Sequence, residues 1–262
     1  MYKLGVIGCG NMGGAIVRGA LKTGLIKGSD LIIYDHNKDK VRDILDQGAS
    51  FAESEVDLVD QVENLMLAVK PQSFKALAEK IKGKIQKDCL VISIAAGLSL
   101  EDLEKDLAHS KILRAMPNTP ALVNEAMTCL SFKEDQLAYI SFAKDLFQSI
   151  GQVAILDENK LDAFSGLAGC MPAFVYMFIE AAADAGVKNG IKRQDAYDFV
   201  AQALLGSAKM VLETKIHPGQ LKDQVCSPGG TTIQGVLALE EAGFRNAVIK
   251  AVDVSTNAKV KL

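Results

Sequence analysis

The stretch that most limits what this chain can become lies at its start. A short apolar run, Lys3–Ile7, leads directly into Gly8-Cys9-Gly10-Asn11-Met12-Gly13. An unbroken apolar run of that length suits a strand buried on both faces of a parallel sheet. The glycines that follow have Gly-x-Gly-x-x-Gly spacing. Gly8 permits a tight turn, Gly10 lets a pyrophosphate approach the backbone, and Gly13 lets the next helix pack on the strand. An amphipathic helix is expected over Met12–Thr23 and a second strand over Leu31–Tyr34. Strand, glycine turn, helix and strand in that order predict a Rossmann-type α/β domain whose dinucleotide site includes Gly8, Gly10, Asn11, Met12 and Gly13.

Asp35 closes the second strand roughly 20 residues past the glycine turn, where an acid typically accepts a hydrogen bond from the adenosine ribose 2′-OH and favours NADH. The residues after it, His36, Asn37 and Lys38, could instead meet the 2′-phosphate of NADPH. Both cofactors stay open at this point. Asp35 could also be the N-cap of a helix expected over Lys38–Gln47.

Strands are expected over Asn64–Val69, Cys89–Ala95, Lys111–Ala115, Met127–Phe132 and Gln152–Leu156, with a helix over Asp135–Ser149. Beyond Asp157 the strand patterns end. Helical periodicity then covers Leu161–Ala185, Arg193–Thr214, Thr231–Glu241 and Phe244–Lys259, broken by glycine or proline. The chain therefore divides near Glu158, into an α/β dinucleotide-binding domain (1–157) and an all-α domain (158–262). A few apolar helices cannot hide all their surface alone, so the second domain is expected to pack against another subunit.

Composition excludes several classes. The net charge of −3 over 262 residues, with no Lys/Arg run, argues against nucleic acid or an anionic membrane as main partner. Five scattered cysteines with no Cys-x-x-Cys point to reduced thiols rather than disulfides or zinc, and the three histidines have no metal-ligand spacing, so no metal is expected. Gly166–Val187 is the most apolar segment, but Pro172, Glu180 and Asp184 interrupt it, and it reads as a buried helix rather than a membrane span. The opening MYKLGVIGCG is too short and glycine-rich for a signal peptide, so a cytoplasmic location is expected.

One stretch remains, Asp223–Gly235 (DQVCSPGGTTIQG). Pro228 cannot continue a helix, Gly229 and Gly230 free the backbone, and Thr231 and Thr232 stand at the N-cap or first turn of an apolar helix. Unpaired N–H groups and the positive dipole end would suit a small anion such as a carboxylate there; an ordinary capped helix is the alternative. With its flanks, His217–Leu221 (HPGQL) and Val236–Phe244 (VLALEEAGF), this stretch resembles the signature of the pyrroline-5-carboxylate reductases, the last enzymes of proline synthesis. Three further blocks are similar to that family: Ala68-Val69-Lys70-Pro71, Ala95-Ala96-Gly97, and the two-proline loop Arg114–Ala121 containing Asn118. By composition alone, the first two are equally plausible as ordinary strand ends.

The resemblance implies hydride transfer from NADPH or NADH to the ring imine of pyrroline-5-carboxylate. It places the substrate carboxylate on Ser227, Gly229, Gly230, Thr231 and Thr232, with the Thr232 hydroxyl assisting. Glu158 would accept a bond from the ring nitrogen, and a surface acid capping the Leu161 helix is its alternative role. Ala68–Pro71 would cover the cofactor ribose and pyrophosphate, Ala95–Gly97 would lie under the nicotinamide side, and Asn118 and Gln224 would approach the nicotinamide. The resemblance also implies a homodimer assembling into a larger ring such as a decamer. The chain departs from the family pattern at Asn124-Glu125-Ala126, where many relatives carry Gly-x-Gly, and at Ala168, Cys170 and Phe174, which replace two serines and a tyrosine. A β-hydroxyacid dehydrogenase would share the first domain but use a lysine on the first long helix, and Leu161–Val187 contains none. A non-catalytic dinucleotide-binding oligomer is the other alternative.

Overall fold

The computed structural model describes residues 1–133 and 139–258. Strands and helices alternate from the start. β1 (Leu4–Ile7), α1 (Asn11–Lys22), β2 (Leu31–Tyr34), α2 (Arg42–Leu45), β3 (Ser50–Phe51), α3 (Glu55–Val59) and β4 (Asn64–Leu67) form the first half. After them come α4 (Pro71–Ile81), β5 (Leu90–Ser93), α5 (Leu100–Leu107), β6 (Ile112–Met116), β7 (Ala126–Phe132), α6 (Ser141–Gln148) and β8 (Gly151–Ile155). The strands make one sheet in the order β3-β2-β1-β4-β5-β6-β7-β8. All neighbours are parallel except β6 and β7, which run antiparallel. The first six strands thus have the doubly wound order, and the order reverses at β1 and β4.

The sheet is covered on both faces, and the strand period of two sorts the side chains. Leu4 and Val6 join Ile16 of α1 and Phe147 of α6 in one apolar layer. Ile7 joins Leu58 of α3 and Phe74 of α4 in the other. Local signals fix the helix starts. Pro71 stands in the first turn of α4, where its missing N–H costs nothing. Ser99 and Asp102 form a capping box on α5. Two expectations are corrected here. Lys38–Gln47 is a 3-10 turn, Lys38–Val41, followed by the single turn of α2, and its cap is Asn37, whose side chain accepts from the Asp39 N–H, rather than Asp35. For the helix expected over Asp135–Ser149, residues 135–138 lie outside the described residues, and α6 begins at Ser141.

After β8 the described chain has no strand. α7 (Leu161–Phe164) passes into a π turn, Ser165–Gly169, before α8 (Met171–Lys188). The expected continuous helix over Leu161–Ala185 is therefore widened at its glycines. A Cβ on Gly166 would lie 2.1 Å from Thr256 Oγ1, so only glycine lets that residue approach the turn. α9 (Arg193–Thr214), α10 (Pro218–Gln224), α11 (Thr231–Glu241) and α12 (Phe244–Asn257) follow; Lys259 of the last expected helix lies outside the described residues.

By contacts the chain falls into two units, Met1–Gly169 with Thr256–Leu262, and Cys170–Ser255. In the second unit only Ala183 and Ala196 are buried among the described residues, while Tyr176, Met177, Phe199 and Leu212 are each at least 60% exposed. The run Glu158–Lys188 is long and apolar enough to cross a membrane by length and composition, yet it carries Glu180 and Asp184.

Candidate active site

The glycine turn sits where the strand order reverses. The Gly8 N–H donates to the Tyr34 carbonyl (2.9 Å) and the Ala68 N–H to the Ile7 carbonyl (2.9 Å), which sets the loops after β1 and β4 side by side. Gly8 has φ +89°, and a Cβ there would meet the Ala68 carbonyl oxygen at 2.7 Å. On Gly13 a Cβ would lie 2.4 Å from the Gly8 carbonyl oxygen, whereas one on Gly10 would meet nothing within 4 Å. Gly8 and Gly13 are therefore glycines for packing, and Gly10 opens onto free space. α1 starts at Gly10 with no side-chain cap and no acid in its first turn, so its first N–H groups and dipole end are suited to a diphosphate. Asn11 is exposed and Met12 half-buried at that start. Cys9, inside the glycine turn, is buried, and desolvation pushes its thiol up to about 12.

Asp35 turns back to this loop. Its Oδ2 accepts the Cys9 N–H at 2.7 Å and its Oδ1 the Asn37 N–H at 2.9 Å. Beside it opens a cleft of about 360 Å³, whose walls include Gly8, Asp35, His36, Glu55, Val69 and Lys80. The structure thus brings together the predicted Gly8, Asp35, His36 and Val69, and adds two residues that the sequence did not flag. Glu55 is buried and pairs with Lys80 Nζ at 2.8 Å. Burial works against its charge, but the lysine and the helix-start N–H outweigh it and hold the carboxyl below its usual range. Lys70 is exposed and precedes Pro71 at the start of α4. Further along the sheet edge, the Ile94 N–H donates to the Leu67 carbonyl, and Ala95, Ala96 and Gly97 follow, with Gly97 at φ +79°.

In the middle of β6 a buried cation anchors a carboxylate. Arg114 Nη1 donates to Glu158 Oε1 at 2.6 Å, and the same oxygen accepts the Leu100 N–H at the start of α5 at 2.7 Å. Glu158 is therefore half-buried and caps α5, across the fold, rather than the Leu161 helix. Oε2 makes no hydrogen bond among the described residues. Asn118 is buried with both ends of its amide engaged: Nδ2 donates to the Ala168 carbonyl (3.0 Å) and Oδ1 accepts the Met127 N–H (2.9 Å). Its side chain ties the two-proline loop to the π turn and to β7. Asn124, where many relatives carry glycine, adopts φ +60°, ψ +29°, the left-handed region that asparagine tolerates best among non-glycine residues.

In the second unit, α10 ends at Gln224, and Ser227–Gly230 closes a turn with the Gly230 N–H on the Ser227 carbonyl at 3.0 Å. Proline then glycine at φ +69° in the middle of that turn is the pairing a type II turn requires. Gly230 is the N-cap of α11 and supplies no side-chain cap, which leaves Thr231 and Thr232 in the first turn, both exposed, above unpaired N–H groups.

A doubly wound sheet with a glycine turn at its switch point, joined to an all-α dimerisation region, defines the class: a dinucleotide-dependent oxidoreductase with a C-terminal helical domain. Residues 158–262 match the family profile described as "Pyrroline-5-carboxylate reductase dimerisation", and residues 3–97 match "NADP oxidoreductase coenzyme F420-dependent". The chain is 46% identical over 257 residues to the pyrroline-5-carboxylate reductase of Escherichia coli (strain K12), covering 95% of this chain and 94% of the relative. Among solved structures, it is similar to a pyrroline-5-carboxylate reductase from Coxiella burnetii (TM-score 0.90, 30% identity, 98% and 96% of the two chains). It is likewise similar to the pyrroline carboxylate reductase from Plasmodium falciparum, solved with NADP bound (TM-score 0.87, 33% identity, 97% and 95%). The chain belongs to the pyrroline-5-carboxylate reductase family.

Proposed function

We propose that the first turn of α11 holds the substrate carboxylate of an NAD(P)H-dependent reduction of Δ1-pyrroline-5-carboxylate to L-proline, the last step of proline biosynthesis. The chain is an oxidoreductase of that activity, with a small-molecule substrate and a homo-oligomeric assembly. The reading of the site is carried by one observation: a Pro-Gly turn, closed by the Gly230 N–H on the Ser227 carbonyl, delivers the uncapped N–H groups of Thr231 and Thr232 at the start of an 11-residue helix. Those groups and the Thr232 hydroxyl bind the carboxylate, Thr231 assists, and Ser227 with Gly229 shapes the turn. A reduced nicotinamide bound there would supply the hydride for the C=N carbon.

The protein's part is orientation and charge placement. Gly8–Gly13 hold the diphosphate, Ala68–Pro71 close over it, and Ala95–Gly97 leave room for a flat ring. Asn118 fixes the loop beside the nicotinamide, and Gln224 approaches it. Glu158, held by Arg114 and the Leu100 N–H, presents Oε2 to the protonated ring nitrogen and stabilises the iminium. The domains divide functionally at 157/158, although residues 158–169 pack with the first unit. The dimers assemble into a larger ring such as a decamer, and the protein is cytoplasmic.

Oxidation of NADH and NADPH with racemic pyrroline-5-carboxylate tests this. Wild type forms proline, and Thr232→Ala raises KM roughly tenfold through one lost hydrogen bond to a charged group. A fully active Thr232→Ala enzyme would move the carboxylate site elsewhere. Dinucleotide binding without turnover would leave a non-catalytic assembly.

A further inference from the structure

We propose that this chain selects NADH over NADPH, and that Asp35, seconded by Glu55, determines the choice. The inference rests on the reductase reading above and concerns only the adenosine end of its cofactor.

Asp35 directly follows β2 beside the reversal of strand order, where the adenosine ribose of a dinucleotide lies when its diphosphate sits on the glycine turn. Its carboxylate is not free to swing aside. Each oxygen takes a backbone N–H, one from Cys9 in the glycine turn and one from Asn37. A ribose 2′-OH can donate to an oxygen so fixed, while a 2′-phosphate would bring a second negative charge against it.

The rest of the cleft does not offset that repulsion. Its acids are Asp35 and Glu55, and its bases are His36 and Lys80. Lys80 already gives its charge to Glu55, 2.8 Å away. Lys38, the next cation along the chain, has Nζ 5.1 Å from the centre of the Phe51 ring. A phosphate in the cleft would therefore meet the Asp35 carboxylate, a lysine already neutralised by Glu55, and an imidazole packed edge-on against Tyr34. Arginine, the side chain best shaped for bidentate phosphate binding, is missing from the cleft walls.

Calorimetric titration of the whole protein with NADH and NADPH, without substrate, reads this directly. Wild type is expected to bind NADH at least about tenfold more tightly, and raising the salt to about 1 M should narrow the ratio, because charge repulsion is screened. Asp35→Asn keeps the shape but removes the charge, and is expected to tighten NADPH binding by about tenfold while weakening NADH by less. Glu55→Gln frees Lys80 and should tighten NADPH by a smaller factor. Equal or tighter NADPH binding by wild type would overturn the inference and leave the reductase reading standing. Binding of neither dinucleotide, with a cooperative thermal transition intact, would overturn both. If Asp35→Asn loses affinity for both dinucleotides equally, Asp35 only supports the loop and the proposal fails.

Discussion

The two units of the chain bury their apolar residues in different ways. In the first, Leu4, Ile16, Leu65, Phe74 and Phe147 are fully enclosed by their own chain, on two faces of one sheet. In the second, two alanines are enclosed, while aromatic and aliphatic side chains along α8, α9 and α12 stand in solvent. Fully burying one such side chain is worth about 1.5–3 kcal/mol, so the second unit forgoes most of its available stabilisation until another surface covers it. One unit is thus specified by its sequence alone, and the other by its sequence twice over.

The largest effect that could break this contrast is a core truncation. Phe147→Ala should cost about 3–5 kcal/mol in denaturant unfolding. That loss is expected at every protein concentration. Met177→Asp, on the exposed side of α8, should instead act through assembly, leaving a sedimenting monomer at concentrations where wild type is oligomeric. A concentration-independent loss from Met177→Asp would mean that the second unit has a core of its own.

Arg114→Met comes next. It leaves Glu158 half-buried with a single partner and should destabilise the first unit by about 1–3 kcal/mol. If Glu158 also serves the substrate, kcat falls as well, and Glu158→Gln in the Arg114→Met background should restore stability without restoring kcat.

Thiol reactivity sharpens the contrast at smaller scale. Burial pushes Cys9 and Cys89 up to about 12 and Cys129 up to about 11. These three should resist alkylation at pH ~8 whatever the protein concentration, because the thiolate is the reactive form. Cys170 and Cys226, half-buried in the second unit, should react faster as the protein is diluted. Equal protection of all five on dilution would count against the contrast.

The smallest effect concerns pH. The Glu55 carboxyl is held below its ordinary value of 4.5, so the unfolded chain binds the proton more readily than the folded one. Its contribution is present above the unfolded value and fades as pH falls through the folded one. Glu55→Gln should therefore shrink the drop in Tm between about pH 7 and pH 3.5 without steepening it.

Period and punctuation made much of the fold legible. Leu31–Tyr34, Arg193–Thr214 and Thr231–Glu241 match their expected bounds, because strands buried on both faces and long helices carry repeating signals. Three features were not legible, each for a physical reason. The π turn at Ser165–Gly169 widens one rung without disturbing the apolar repeat on either side. The start of α10 is hidden by its Pro-Gly opening, which reads equally as a loop. The Arg114–Glu158 and Asn118–Ala168 bonds join residues 44 and 50 positions apart, which no local pattern reports. An arginine inside the apolar run ILRAM was the available hint, since a cation in a buried strand needs an anion somewhere. At the site, the glycine turn declared itself by spacing, whereas Glu55 and Lys80 reach the cleft only through the packing of α3 and α4.

Asn118 has a consequence for motion. The loop between β6 and β7 carries Leu122 and Val123 in solvent, yet it is tied by one buried amide to the start of β7 and to the π turn. It cannot open by fraying from its exposed tip, because both bonds of Asn118 lie at its base. Opening there must release the Met127 N–H and the Ala168 carbonyl together. The exchange of the Met127 amide hydrogen with solvent is the clock on that release.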